Sequence, residues 1–190
     1  MRIHQDGNSL RDPREGPRRW IRRRADDDRR RAALDRPQAR VNTARIVFVV
    51  VAVAVFILDR ITKSIVAAQV PYGTEVSVAG RLVGITNVHN SGAAFGIAPA
   101  AAGIFLIASL VVAVALAVYV FRTVAGEWTY AMLGLIMGGT VGNGYERLVN
   151  GTVTDFINFH FWPVFNVADS AVTVGVVLLI ASYALRKPTS

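Results

Sequence analysis

The chain has 190 residues, of which 53% are hydrophobic, 18% are charged and none is cysteine; its mean hydropathy is +0.40 and its net charge is +8. The lack of cysteine excludes a disulfide framework, a thiolate metal site and a cysteine nucleophile. Because the basic residues accompany apolar runs too long for an ordinary soluble core, the composition favours a membrane protein over a nucleic-acid-binding one.

The first predicted region is a basic tail over residues 1–45. It holds 14 of the 21 Lys and Arg residues and 7 of the 13 acidic residues. Arginine mixed with Asp, Pro and Gly, with few apolar positions at helical spacing, predicts a disordered cytoplasmic tail. We expect its positive charge to fix membrane orientation rather than to bind nucleic acid or lipid headgroups, and it is too long for the charged region of a signal peptide.

Four apolar segments follow and predict a four-helix membrane domain over residues 46–187. The second segment has 22 residues without a charge, which corresponds to roughly 33 Å of helix, enough for a bilayer core. The third is shorter and rich in glycine, which in a membrane allows close helix packing. The segments are Ile46 to about Val70, Ala100 to Phe121, Trp128 to Asn143, and Val164 to Leu185.

The distribution of Lys and Arg near the span ends predicts that both termini are cytoplasmic. The tail, Arg122, Arg186 and Lys187 then lie inside, and the segments Ala67 to Pro99 and Gly144 to Pro163 lie outside. In the first outer segment, Val76 and Val78 alternate with polar residues before a possible turn at Ala79-Gly80. This pattern predicts a short β-hairpin between Thr74 and Val88, on the outer membrane surface between helices 1 and 2.

With this topology, most strongly polar residues of the body lie at one depth, at the outer ends of the spans. Polar residues in membrane helices are costly, so their shared depth indicates a site. The members are Asp59, Lys63, Asn143, Glu146, Arg147, Asp155, Asn166 and Asp169.

Several of these residues have a structural alternative. Asp59 and Lys63, at i and i+4, suit an ion pair that anchors the helix end, or a substrate contact. Asn90, in the small-residue segment HNSGAAFG, suits a turn or helix cap, or a ligand contact. Asn143, Glu146 and Arg147 share one helix face, where Arg147 suits an interfacial anchor as well as a ligand contact.

Asp155 in VTDF and Asp169 in FNVADS are the candidate catalytic pair. Taken singly, Asp155 suits a solvated loop and Asp169 a helix N-terminus. Two carboxylates brought together at low dielectric cannot easily both ionise, so one supplies an acid and the other a base. Asn158, Asn166 and Ser170 are nearby polar side chains that we expect to orient them.

We expect no metal and no cofactor. His89 and His160 are scattered, and the sequence places no carboxylate at ligand spacing from either, which favours ordinary interfacial histidines. The chain also lacks a glycine-rich phosphate loop and a GxSxG nucleophile elbow.

Five blocks of the chain resemble those of the bacterial lipoprotein signal peptidases, also called signal peptidase II. They are LDRITK from Leu58, HNSGAAFG from His89, GGTVGNGYERL from Gly138, VTDFINF from Val153 and FNVADSA from Phe165. The resemblance covers about Ile46 to Leu185 and leaves out the tail. It implies an aspartic peptidase of the cytoplasmic membrane that cleaves prolipoproteins at the outer face, just before a diacylglyceryl-modified cysteine.

Carried over by position, the resemblance makes Asp155 and Asp169 catalytic. It gives substrate binding to Asn90, Asn143, Arg147 and Asn166, and supporting roles to Asp59 and Lys63. The third block departs from the family pattern Gly-Asn-x-x-Asp-Arg, because Glu146 replaces the Asp; this puts in doubt its hydrogen bonds to the hairpin or to Arg147.

Two other functions remain open at this point. A small transport or proton-relay protein would use the same charged residues as a polar path, although no charge lies in the inner half of any predicted span. A lipid-binding module would need the hairpin and the asparagines but no paired carboxylates. For the peptidase we expect lipidated prolipoproteins and membrane lipids as partners, no nucleic acid, and a monomer.

Overall fold

The computed structural model describes residues 17–80, 82–92 and 98–185, which form four helices and a small sheet. The helices and strands, in chain order, are α1 (Pro17–Gln69), β1 (Glu75–Ala79), β2 (Val83–Asn90), α2 (Ala98–Arg122), α3 (Glu127–Asn150), β3 (Val153–Asn158) and α4 (Val167–Ala184).

Three of the described helices are long and apolar enough to cross a membrane: α1 over Val41–Gln69, α2 over Ala102–Arg122, and α4 over Val167–Ala184. The predicted class, a helical membrane protein with a small sheet, is thus confirmed in its main features. The third predicted segment does form a helix, α3, but α3 is not among the helices that are long and apolar enough to cross a membrane. Its role as a fourth span stays a prediction.

The central position of α3 explains its composition. It packs against both α2 and α4. A side chain at Gly139 would overlap the backbone oxygen of Ala168 in α4, and one at Gly138 would overlap that of Ala52 in α1. A helix that is covered by other helices needs small residues for close approach more than an apolar surface.

The sheet is antiparallel, with strand order β1-β2-β3. The predicted hairpin is present, and Gly80 forms its turn with φ of 57°. The third strand was not expected: it comes from the connection between α3 and α4, so the sheet is not confined to the segment between helices 1 and 2. Asn90, the last residue of β2, pairs with Val153, and Val88 pairs with Asp155.

A small apolar core holds the sheet against the helices. Val66 and Val70 at the end of α1 pack with Phe156 of β3, and Ile85, Ile157 and Val167 surround them. Because Val167 is the first residue of α4, this core brings β3 and the beginning of α4 to the end of α1.

The structure differs from the prediction of a disordered tail. The helix α1 begins at Pro17, so residues 17–45 are helical; residues 1–16 lie outside the described part of the chain. Arginine and alanine have high helix propensity, and proline is tolerated at a first helical position. The chain divides into two units between Asn42 and Thr43, near the predicted domain boundary at residue 45. Arg186 and Lys187, used to predict orientation, also lie outside the described residues.

Candidate active site

Seven of the eight residues predicted to converge, together with Asn90, are connected by hydrogen bonds and ion pairs where α1, α3, α4 and the sheet meet. The second half of α1, the last turns of α3, the first turn of α4 and the paired strands β2 and β3 supply them. They are Asp59, Lys63, Asn90, Asn143, Glu146, Asp155, Asn166 and Asp169.

Asp59, Lys63 and Glu146 form what we call the lysine cluster. The Lys63 Nζ lies 2.9 Å from Asp59 Oδ2, 2.9 Å from Glu146 Oε2 and 2.9 Å from Asn143 Oδ1. All three charged residues are at most 2% exposed. Two carboxylates and one amide oxygen of the protein thus surround the ammonium group, with ion pairs to Asp59 and Glu146 and a hydrogen bond to Asn143. This geometry supports the structural alternative for Asp59 and Lys63 over substrate contact.

Glu146 connects the lysine cluster to β3. Its carboxylate accepts hydrogen bonds from the Thr154 backbone N–H at 3.1 Å and the Thr154 hydroxyl at 2.8 Å. Arg60 Nη1 lies 3.5 Å from the same carboxylate. In the described structure, therefore, the carboxylate that departs from the family pattern binds the strand that carries Asp155. Its recorded partners include neither the β1–β2 hairpin nor Arg147.

Asp155 lies on β3 and is held by two side-chain amides. Asn90 Nδ2 donates to Asp155 Oδ2 at 2.8 Å, and Asn166 Nδ2 donates to Asp155 Oδ1 at 2.7 Å. The backbone N–H of Gly92 donates to Asn90 Oδ1, which fixes the orientation of that amide. Asp155 is 2% exposed, so the solvated-loop alternative is wrong for it.

Burial is the main reason why the pKa of Asp155 rises from 3.8 to about 6. The hydrogen bond from Asn90 opposes this rise, and the negative charge of Asp169 adds to it. Burial disfavours the charged form of a carboxyl group, and a neighbouring carboxylate does the same. Asp155 is therefore a side chain that carries a proton more readily than an ordinary aspartate.

Asp169 both stabilises the beginning of a helix and lies in the candidate site, so it fits the two roles that the sequence suggested. It is in the first turn of α4 and forms a capping box with Asn166, whose side chain accepts from the Asp169 N–H at 2.9 Å. The Asn166 N–H donates to Asp169 Oδ2 at 3.2 Å, and Asn143 Nδ2 donates to Asp169 Oδ1 at 2.7 Å. The helix start thus positions one oxygen of Asp169, and α3 positions the other.

Asp155 and Asp169, which we call the aspartate pair, are both bonded to Asn166. Their recorded hydrogen-bond donors are neutral amides. No Lys, Arg or His of the described chain lies within ion-pair distance of either carboxylate. Neighbouring carboxylates without a paired cation favour sharing one proton, which makes one an acid and the other a base. Such a pair can activate a water molecule and protonate a leaving group.

Arg147 lies beside this site without a direct bond to it. Its guanidinium is half-buried and stands over the Phe105 ring of α2, 5.2 Å from the ring centre. Its Nε atom is buried and has no hydrogen-bond partner. A guanidinium with a free N–H can donate a hydrogen bond to a polar group of a ligand, so the position of Arg147 suits substrate contact.

Some predicted partners lie elsewhere. Asn158 donates to Glu75 rather than to the aspartate pair, and the Ser170 hydroxyl bonds to the backbone oxygen of Asn166, so neither orients a carboxylate directly. The sequence places no carboxylate at ligand spacing from His160, and in the structure this histidine lies 2.9 Å from Glu75. Sequence spacing could not reveal this contact because the two residues are 85 positions apart and meet only through the sheet.

Sequence reasoning also missed several contributors to the site. The Thr154 backbone and hydroxyl bind Glu146, and the backbone N–H of Ala168 donates to Asp59 Oδ1 at 3.1 Å. The one available signal was the position of Thr154, a hydroxyl residue directly before Asp155. Backbone donors such as that of Ala168 have no residue-type signal. No group of three or more His, Cys, Asp or Glu in the described residues is arranged to hold a metal ion.

Comparisons with known proteins show which family this chain resembles. The family model for Signal peptidase (SPase) II matches residues 51–185. The lipoprotein signal peptidase of Syntrophomonas wolfei is 42% identical over 127 residues, which are 66% of this chain and 85% of that protein. The lipoprotein signal peptidase of Pseudomonas aeruginosa strain PAO1 is 37% identical over 139 residues, 68% of this chain and 82% of that protein.

A solved structure has the same fold. It is described as a bacterial membrane enzyme determined by the in meso method at 1.9 Å resolution. It is 31% identical in sequence and superposes with a TM-score of 0.68 over 74% of this chain and 94% of that one. The parts of this chain beyond the match include the tail, which has no counterpart in the family model.

Proposed function

This chain belongs to the signal peptidase II family, and we propose that the aspartate pair, Asp155 and Asp169, is its catalytic centre. Family membership gives the chain the activity of an aspartic endopeptidase that removes signal peptides from lipoprotein precursors. The proposal concerns which residues perform that reaction and how they are held.

The observation that carries the proposal is the hydrogen bonding of the aspartate pair. Both carboxylates accept from side-chain or backbone amides of Asn90, Asn143 and Asn166, with distances from 2.7 to 3.2 Å. Neutral amides position a carboxylate without placing a positive charge beside it. Hydrolysis by two carboxylates needs groups that exchange protons during the reaction.

In the proposed mechanism Asp155 carries the proton and Asp169 is the base, in line with the raised pKa of Asp155. Asp169 takes a proton from a water molecule between the two carboxyl groups, and the water oxygen attacks the scissile carbonyl carbon. Asp155 donates its proton to the carbonyl oxygen. Collapse of the tetrahedral intermediate then breaks the C–N bond: Asp169 gives its proton to the leaving amine, and a hydroxyl of the intermediate returns a proton to Asp155 as the C=O bond re-forms. No covalent enzyme intermediate forms.

We assign substrate positioning to Asn90, Asn143, Arg147 and Asn166. The three asparagines already orient the aspartate pair, so they border the place where the scissile peptide must lie. Arg147 has a free donor and a planar guanidinium that suits a carbonyl or ester oxygen of the lipidated precursor. The acyl chains of such a substrate remain in the bilayer, and their binding energy positions the peptide bond.

We assign a supporting role to the lysine cluster. It connects α1 to α3 through Lys63, α1 to α4 through the Ala168 N–H, and α3 to β3 through Thr154. These are the elements that carry the catalytic and binding side chains. The cluster therefore acts on catalysis through position and not through contact with the substrate.

We further propose four spans, with α3 as the third, both termini in the cytoplasm and the active site at the extracytoplasmic face. Support comes from the four helices of the described chain, three of which are long and apolar enough to cross a membrane, and from the position of the described polar site at one end of them. The positive charge of the tail follows the positive-inside rule. We propose that the enzyme works as a monomer, because the described site is assembled from one chain.

Cleavage of a lipidated precursor by the purified protein in detergent tests the function. We expect release of the signal peptide and a new N-terminal lipidated cysteine, both identified by mass spectrometry. A transport or proton-relay protein would leave the precursor intact, as would a lipid-binding module that merely retains it.

Glu127→Gln is a matched control, since it replaces a carboxylate by an amide in the first turn of α3, away from the site. This variant should cleave as the parent does. If the parent folds and binds the precursor but does not cleave it, the assignment of the reaction to this site is wrong.

A further inference from the structure

The connection between β3 and α4 exposes two large aromatic side chains. Phe161 is 83% exposed and Trp162 is 62% exposed. The helix α4, which is apolar enough to cross a membrane, begins only a few residues later at Val167. A segment this close to the start of a membrane helix lies at the level of the lipid headgroups, where tryptophan is enriched.

The aromatic residues project from a well-defined backbone. His160 adopts a left-handed conformation with φ of 63°, and its N–H donates to Asn158 Oδ1 at 2.9 Å. The Phe161 N–H donates to the Phe159 oxygen at 2.8 Å, and the rings of these two residues stack with centres 5.9 Å apart. The backbone therefore turns sharply after β3, and these contacts fix the direction of the segment that carries Phe161 and Trp162.

A contact across the sheet holds this turn, and we call it the clasp: Glu75, Asn158 and His160. Glu75 of β1 accepts from Asn158 Nδ2 at 2.6 Å and lies 2.9 Å from His160 Nε2. To reach them, the Glu75 side chain crosses the middle strand at Gly84, where an added Cβ would overlap the Glu75 carboxyl group. Because Gly84 has no side chain, there is room above it for the Glu75 carboxyl group of the clasp.

We propose that Phe161 and Trp162 form an anchor that inserts into the interfacial layer of the lipid bilayer, and that the clasp sets its direction. The occupant of this surface is lipid, because α4 begins shortly after Trp162, is apolar enough to cross a membrane, and exposes apolar side chains that include Val174, Val177 and Leu178. The Trp162 indole gains free energy at this boundary by burying its apolar part and leaving its N–H hydrated, and the wholly apolar Phe161 ring gains it by leaving water. The anchor fixes the height of β3, and with it that of Asp155, relative to the membrane.

The proposal depends on the membrane placement of α4 and not on the peptidase assignment. Its test therefore uses fluorescence rather than activity. The chain has three tryptophans, and Trp20→Phe with Trp128→Phe leaves Trp162 as the single reporter. The full-length protein is reconstituted into phosphatidylcholine and phosphatidylglycerol vesicles whose acyl chains carry bromine near the headgroup or near the chain end.

We expect bromine near the headgroup to quench Trp162 more strongly than bromine near the chain end, with little quenching by aqueous iodide. A variant with Trp128 as the only tryptophan is the positive control, since this residue is 81% exposed at the start of α3, the other proposed boundary. Efficient iodide quenching of Trp162 together with no effect of brominated lipid would overturn the proposal.

Gly84→Ala in the Trp162-only protein tests the clasp, because its Cβ displaces the end of the flexible Glu75 side chain. We expect loss of part of the lipid quenching and a gain in iodide access. Gly103→Ala is the matched control, since its Cβ meets no atom within 4 Å. If Gly84→Ala fails to fold, Glu75→Gln weakens the contact to His160 without adding an atom. Unchanged quenching in the folded clasp variant would remove the clasp from the proposal.

Discussion

Two groups of carboxylates lie side by side in this protein, and they differ in what neutralises them. Asp59 and Glu146 of the lysine cluster each lie 2.9 Å from the ammonium of Lys63. Asp155 and Asp169 of the aspartate pair are hydrogen-bonded to neutral amides. A neighbouring cation favours the charged form of a carboxylate, whereas neutral amides hold a carboxylate without adding a positive charge beside it.

Residue type and depth in the membrane do not by themselves identify a catalytic carboxylate. All four are acidic, and three of them are buried. The groups that contact them distinguish the structural carboxylates of the lysine cluster from the proposed catalytic carboxylates of the aspartate pair. Asn143 joins the two groups, since its Oδ1 accepts from Lys63 and its Nδ2 donates to Asp169. The orientation of this amide is therefore set by the lysine cluster and used by the aspartate pair.

The largest effect is expected from removing either catalytic carboxyl group. Asp155→Asn and Asp169→Asn are nearly isosteric, and each deletes one group that must exchange a proton. We expect each to reduce cleavage of a lipidated precursor by on the order of 10²- to 10⁴-fold or more. Neither variant should melt below the parent in detergent, because both leave the lysine cluster intact. Substantial cleavage by either variant would remove that residue from the mechanism.

The opposite behaviour is expected for Lys63→Met. This substitution leaves Asp59 and Glu146 buried without their common cation, which costs about 3–5 kcal/mol of unfolding free energy. We expect a large fall in the melting temperature, with loss of activity as a consequence of misfolding. Adding Glu146→Gln should recover part of the loss by removing one unpaired charge. A melting temperature equal to that of the parent would contradict the structural role of the cluster.

The pH dependence of stability gives a third way to separate the two groups. Since burial raises the pKa of Asp155 from 3.8 to about 6, its charged form is disfavoured in the folded state. Stability from this residue is therefore greatest below pH 3.8 and declines as the pH rises to about 6, by roughly 2–3 kcal/mol in total. We expect Asp155→Asn to gain stability relative to the parent across this interval. A difference that is independent of pH would show that Asp155 has an ordinary pKa.

A smaller effect is expected for Arg147→Lys, which keeps the charge but loses the planar donor fork. We expect cleavage to fall by roughly tenfold, the equivalent of about one hydrogen bond to a charged group. Thermal stability should be unchanged, since the guanidinium makes a ring contact but no hydrogen bond through Nε. Equal activity in the two proteins would assign Arg147 to interfacial anchoring.

The sequence predicted the convergence at the site better than the contacts within it. Charges in apolar segments are rare and costly, so Asp59, Lys63 and Asp169 stood out, and the order of the spans placed them at one depth. What the sequence could not predict is how each carboxylate is neutralised. The contact of Glu146 with Thr154 depends on β3, whose short run VTDFIN resembles a loop when its pairing with β2 is unknown.

The same limit applies to the fold. The hairpin was predictable, because its strands are adjacent in the chain and Gly80 marks the turn. The third strand was not, since it pairs across α2 and α3 with residues about 65 positions away. The tail was expected to be disordered from its charge, yet its arginines and alanines also suit the helix that continues from the first span.

The central claim is that Asp155 and Asp169 act as one unit, and the double variant Asp155→Asn/Asp169→Asn tests it most directly. All three variants are purified, shown by melting to be folded, and assayed for release of the signal peptide from a lipidated precursor. Residues that act together are strongly non-additive, so the double variant should be scarcely less active than either single one. A double variant whose loss equals the product of the two single losses would show that the carboxyl groups act independently, and would contradict the account.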